Sequence, residues 1–141
     1  MNELTSLLDH QQSLLDELLV LIDAEKTALI AQDASELLRL AEAKSAALLA
    51  LKKNDDALAL HPAKQLLTED QALVGKVEAA QATLLRCKQA NHLNAQLIEH
   101  NEASINRLAQ ALQVSRNASS LTYTDKGKTS TISTLGNSIE V

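Results

Sequence analysis

The sequence predicts an all-α fold: an antiparallel bundle of three long helices with coiled-coil-like packing, followed by an irregular C-terminal tail. Three observations carry this expectation. Leucine and alanine supply 28 and 22 of the 141 residues, and both lose little side-chain freedom in a helix. Only three glycines and one proline interrupt the chain. Apolar residues recur at seven-residue spacing through three long stretches, which keeps them on one side of a helix. One domain is expected at this length, with the bundle over residues 1–117 and the tail over 118–141.

The first helix is expected over residues 2–31. One row reads Leu8, Leu15, Ile22, Leu29 and its neighbour Leu7, Leu14, Leu21, Ala28, with Leu4 and Leu18 widening the face. Two adjacent rows make a stripe too broad for a two-stranded seam, so more than one other helix is expected against it. A sharp turn follows at AQDASELL (31–38). There Asp33 and Glu36 have the spacing of a capping box, in which the cap side chain accepts from an amide and the acid reaches back.

The second helix is expected over 34–60, with the stripe Leu37, Leu40, Ala41, Lys44, Ala47, Leu48, Leu51. Lys44 inside it has two readings: a lysine snorkelling at the rim, or one paired with an acid from another helix. Pro62 then ends helical structure, and Thr68 with Gln71 suggests another capping box. The third helix is expected over 69–115, roughly 70 Å at 1.5 Å per residue. Its seam rows are Val77, Leu84, Asn91, Ile98, Ile105, Leu112 and Leu73, Ala80, Cys87, Asn94, Asn101, Leu108. Three asparagines, Asn91, Asn94 and Asn101, thus interrupt an apolar stripe. They read either as a polar device that fixes register or a wet seam, or as a patch for a partner's backbone.

After Ser115 the pattern stops. Residues 119–141 include ten Ser or Thr, types that favour strands and turns over helices. The apolar content is too low for the segment to hold itself together. It nevertheless carries Tyr123, the only aromatic residue of the chain.

Composition excludes several functions. A net charge of −5 without a basic stripe argues against nucleic acid. The most apolar run, LLVLI (18–22), is far short of the ~20 residues of a membrane span. MNELTSLLDH has no basic region before an apolar run, so no signal peptide is expected. A single cysteine, Cys87, allows no internal disulfide, and the chain reads as cytoplasmic. No two of His10, His61, His92 and His100 have the i, i+4 spacing of metal ligands on one helix. Cys87, on a seam row, reads as a small buried hydrophobe rather than a nucleophile. Gly75, Gly127 and Gly136 stand alone, so no phosphate loop is expected. Histidine phosphotransfer domains place Lys and Gly shortly after their histidine; LNAQ after His92 and NEAS after His100 do not match. No enzyme, cofactor or metal is expected.

Three stretches carry a family resemblance. They are LLDELLVLIDAEKTALIAQDASELLRLAEAKSAALLAL (14–51), with Lys44 central in its second helix, NHLNAQLIEHNEASINRLAQAL (91–112), and LTYTDKG (121–127). Together they resemble the FlgN family of flagellar export chaperones. Many members place an acid directly after the tyrosine; here Thr124 intervenes before Asp125. The resemblance implies a cytoplasmic type III secretion chaperone. It would bind the hook–filament junction proteins FlgK and FlgL, keep them unassembled and deliver them for export. It further implies docking of Tyr123, Asp125 and Gly127 on the export gate protein FlhA, and cargo contact by the tail through Leu121, Ile132, Leu135 and Ile139. The spacing of Ile132, Leu135 and Ile139 suggests a helical face formed against cargo. Against gate docking stands a Tyr123 that folds back on the bundle. Against the chaperone stands a self-associating coiled coil, a homodimer without cargo.

Overall fold

The computed structural model describes residues 2–100, 110, 129–132 and 137–139. Four helices pack together: α1 (Asn2–Ala31), α2 (Ala34–Ala59), α3 (Leu66–Glu69) and α4 (Gln71–His100). Two short strands follow, β1 (Thr129–Ile132) and β2 (Asn137–Ile139).

The α1–α2 turn leaves only two residues, Gln32 and Asp33, between the helices. The amide of Asp33 donates to Ala28 O at 2.9 Å and that of Gln32 to Leu29 O at 3.2 Å. This is a Schellman motif, and its left-handed residue is Gln32 at φ 56°. Asp33 then caps α2, its carboxylate accepting from Glu36 N at 3.1 Å. Only half of the expected capping box forms. The Glu36 carboxylate turns forward instead and takes two bonds from Arg39, at 2.9 and 2.6 Å. An arginine fork one turn ahead is a stronger donor to a carboxylate than a backbone amide. Those bonds hold the Glu36 carboxyl below its ordinary range. We expect Asp33→Ala to lower the unfolding free energy by about 1 kcal/mol. Urea denaturation reads this directly, and an unchanged midpoint would show that the turn does not need its cap.

The second connection departs from expectation. Thr68 does not cap the last long helix; its hydroxyl donates to Gln65 O at 3.0 Å within the single turn of α3. Asp70 breaks the chain with an extended ψ of 120°. Its carboxylate accepts from Ala72 N at 3.0 Å and Leu73 N at 3.3 Å. The last long helix therefore starts at Gln71, not residue 69. The expected stretch from 101 to 115 lies outside the described residues, apart from helical Gln110. His61 ties the connection to the start of α1: its Nδ1 accepts from Ala63 N at 3.0 Å, and Nε2 meets Glu3 Oε1 at 2.7 Å.

Partners across the helices give their directions. From Asp9 through Gln12 to Ile22 on α1, the partners on α4 climb from Lys76 through Thr83 to Asn94. From Gln11 to Glu25, the partners on α2 descend from Asn54 to Lys44. α1 and α4 thus run together and α2 runs against both.

The core is stacked in three apolar clusters. Leu4, Leu8, Leu58, Leu67 and Leu73 close the end near α3. Leu14, Leu15, Leu18, Ile22, Ala47, Leu51, Ala80, Leu84 and Cys87 fill the middle. Ala28, Leu29, Leu37 and Leu40 close the end at the α1–α2 turn. No Phe, Tyr or Trp enters these clusters, since the chain has no Phe or Trp and its tyrosine comes after α4 in the sequence.

The tail was expected to be irregular. Its described parts pair instead as an antiparallel ribbon, with Thr129 opposite Ile139 and Ile132 opposite Asn137 and a register shift between. Six Thr and Ser residues from Thr129 to Ser138, with Ile132 and Ile139, give this stretch its strand propensity.

Candidate functional site

Two buried polar layers separate the three clusters. Near the α3 end, Asn54 donates through Nδ2 to Leu7 O at 2.9 Å and to Gln11 Oε1 at 2.6 Å. Beside it Gln12 Nε2 donates to the Thr83 hydroxyl at 2.8 Å.

The second layer is charged. Lys44 is 1% exposed, and its ammonium donates to Glu25 Oε1 at 3.3 Å and to Asn91 Oδ1 at 2.6 Å. Asn94 donates through Nδ2 to Ile22 O at 3.0 Å and to the same Glu25 oxygen at 3.1 Å. All three long helices contribute to this cluster. Of the two readings of Lys44, the structure shows the pair with an acid from another helix. Burial pushes the Lys44 ammonium down from the lysine range, and the Glu25 carboxylate opposes that shift.

The layer is not fully satisfied. Glu25 Oε2 and Asn94 Oδ1 are buried and take no hydrogen bond from the described residues. An unpartnered buried acceptor costs about 1–3 kcal/mol.

Glu25 and Gln11 do not stand out in the sequence pattern. Their signal is a row seven apart: Leu4, Gln11, Leu18, Glu25, each at most 1% exposed. Reading only the leucines of that row hides its polar members.

Cys87 lies in the middle cluster at 0% exposure, its thiol donating to Leu15 O at 3.6 Å. Burial first, and then Asp16, pushes the thiol up to about 12, far from a nucleophilic thiolate. Among the described residues no group of three or more His, Cys, Asp or Glu is placed to hold a metal. No described helix is long and apolar enough to cross a membrane.

The expected site residues divide by location. Asn91 and Asn94 face into the bundle, and Asn101 lies outside the described residues. So do Leu121, Tyr123, Asp125, Gly127 and Leu135. Ile132 and Ile139 are the last residues of β1 and β2, so the backbone at both is extended in the chain without cargo. On the outer surface of the bundle, a shallow groove between α1 and α2 is lined by Leu14, Leu21, Ala43, Ala46, Ala47 and Ala50, with Glu17 at its side.

These features define an all-helical bundle whose inner polar groups pair with one another, followed by a Ser/Thr-rich tail. The family model described as FlgN protein matches residues 1–131, so the chain belongs to the FlgN family, which is the flagellar export chaperone family. Comparison with curated proteins returns no match, and neither does comparison with solved structures.

Proposed function

We propose that this chain is a cytoplasmic type III secretion chaperone that binds the junction proteins FlgK and FlgL, keeps them from premature assembly and hands them to the export gate protein FlhA. The family match carries the reading, and it extends to residue 131, through the segment that holds Tyr123. The broad leucine face of α1 supports a division of labour. Leu8, Leu15, Leu18 and Ile22 are spent inside the bundle at 0–1% exposure. Cargo with an exposed amphipathic helix must therefore be covered by the outer groove, the tail or both. The tail residues Leu121, Ile132, Leu135 and Ile139 are the proposed cargo contacts. Tyr123, Asp125 and Gly127 are the proposed gate contacts, with the ring supplying a large apolar area on few rotatable bonds. Immobilising tail side chains on binding offsets part of the gain and leaves moderate affinity suited to release. The action is physical and uses no cofactor.

The test is calorimetric titration of the C-terminal segment of a hook-associated protein into three forms: the full chain, a chain ending at Ser115, and Tyr123→Ala. The expected result is binding by the full chain, at least about tenfold weaker binding by the truncation, and cargo binding retained by Tyr123→Ala with loss of gate binding. A full chain that forms a stable dimer and ignores cargo would overturn the reading in favour of a self-associating coiled coil.

A further inference from the structure

The charged layer also divides α4 mechanically. On the turn side of the layer, α1 and α2 supply the buried members of the end cluster, Ala28, Leu29, Leu37 and Leu40. Among the described residues, α4 supplies Leu97 and Ile98, both half-buried. On the other side, α4 contributes Ala80, Leu84 and Cys87, all at most 1% exposed. Among the described residues, only the half-buried Leu21 packs against both clusters. Among the described residues, the polar ties of segment 94–100 to α1 and α2 are therefore the two bonds of Asn94, to Ile22 O and Glu25 Oε1.

Those ties sit beside the two unpartnered acceptors, Glu25 Oε2 and Asn94 Oδ1. Lifting α4 away lets water donate to both, and hydrates the Lys44 ammonium that burial disfavours. Apolar clusters gain nothing from water, so the middle cluster resists the same motion. The α1–α2 hairpin stays closed by its own Schellman turn and by the Asp33 cap.

We infer that residues 94–100 of α4 detach from the α1–α2 hairpin and unwind as one unit, hinged at the charged layer, while α1, α2 and residues 71–93 of α4 stay folded. Detachment bares the cleft of Ala28, Leu29, Leu37 and Leu40, an apolar surface that the closed bundle hides. This inference does not depend on the proposed cargo.

Native-state amide exchange on the full chain tests it, in low and rising urea. Amides 95–100 should share one opening free energy, respond to urea, and exchange at least about tenfold faster than amides 80–90. Residue-by-residue opening gives a different pattern: a smooth gradient through Asn94, insensitive to urea. That gradient, or equal protection on both sides of the layer, would overturn the inference. The variant Glu25→Leu/Lys44→Met/Asn94→Leu should slow exchange at 95–100 by about tenfold and leave 80–90 within about threefold. If that variant does not fold, the step and the urea response in the unmodified chain decide alone.

Discussion

Lys44→Ala is expected to lower the unfolding free energy by about 3–5 kcal/mol, the largest loss of any single polar substitution in the bundle. The reason is what remains. Glu25 is 1% exposed, and without the ammonium its carboxylate keeps only the Asn94 amide as a donor. One of its oxygens already lacks a partner. A buried charge stripped of its counter-ion is far more costly than the pair is favourable, because desolvation of both ions nearly cancels their attraction. The pair itself should therefore be dispensable. Glu25→Leu/Lys44→Met together should recover the whole loss, and an increase of about 1–4 kcal/mol over the natural sequence is within reach. Equilibrium urea denaturation of both single variants and the double one completes the cycle. A loss below about 1 kcal/mol for Lys44→Ala would mean that water reaches the layer and screens its charges, so that the pair is not desolvated at all.

Leu18→Ala should cost about 2–5 kcal/mol. Leu18 is fully buried in the middle cluster, between the two polar layers. Leucine and alanine have nearly equal helix propensity, so the change leaves the intrinsic stability of α1 almost untouched. The loss then reports packing alone. The matched control is Leu49→Ala on α2, where the side chain is 57% exposed. It should stay within about 0.5 kcal/mol of the natural chain. Chemical denaturation should show a shifted midpoint with an unchanged slope for Leu18→Ala. A cost no larger than that of Leu49→Ala would remove the middle cluster from its place as the main core.

The sequence made α1 and α2 legible almost to the residue. Both have sustained apolar periodicity and sharp ends, since Asp33 is a capping residue placed between two long patterns. The start of α4 was misread because two capping residues stand two positions apart, Thr68 and Asp70. Each satisfies the chemical preference, and only backbone geometry chooses. α3 was invisible because a single turn has no period to detect. The charged layer was half legible. Lys44 and the asparagines announce themselves as polar residues in apolar rows. Their partner Glu25 does not, because pairing across helices depends on register, which a single helix pattern does not contain. The ribbon of β1 and β2 was legible as strand propensity but not as pairing. A short Ser/Thr-rich segment offers little apolar alternation to fix one strand against another.

The absence of rings from the core has an optical consequence. The folded bundle is transparent in the near ultraviolet, apart from weak peptide and thiol absorption. The single phenol of Tyr123 is therefore a natural chromophore set in the tail. Its emission carries no background from α1 to α4, which contain no tyrosine or tryptophan. Events at that segment are visible without a label, while melting of the helices is followed separately through backbone dichroism.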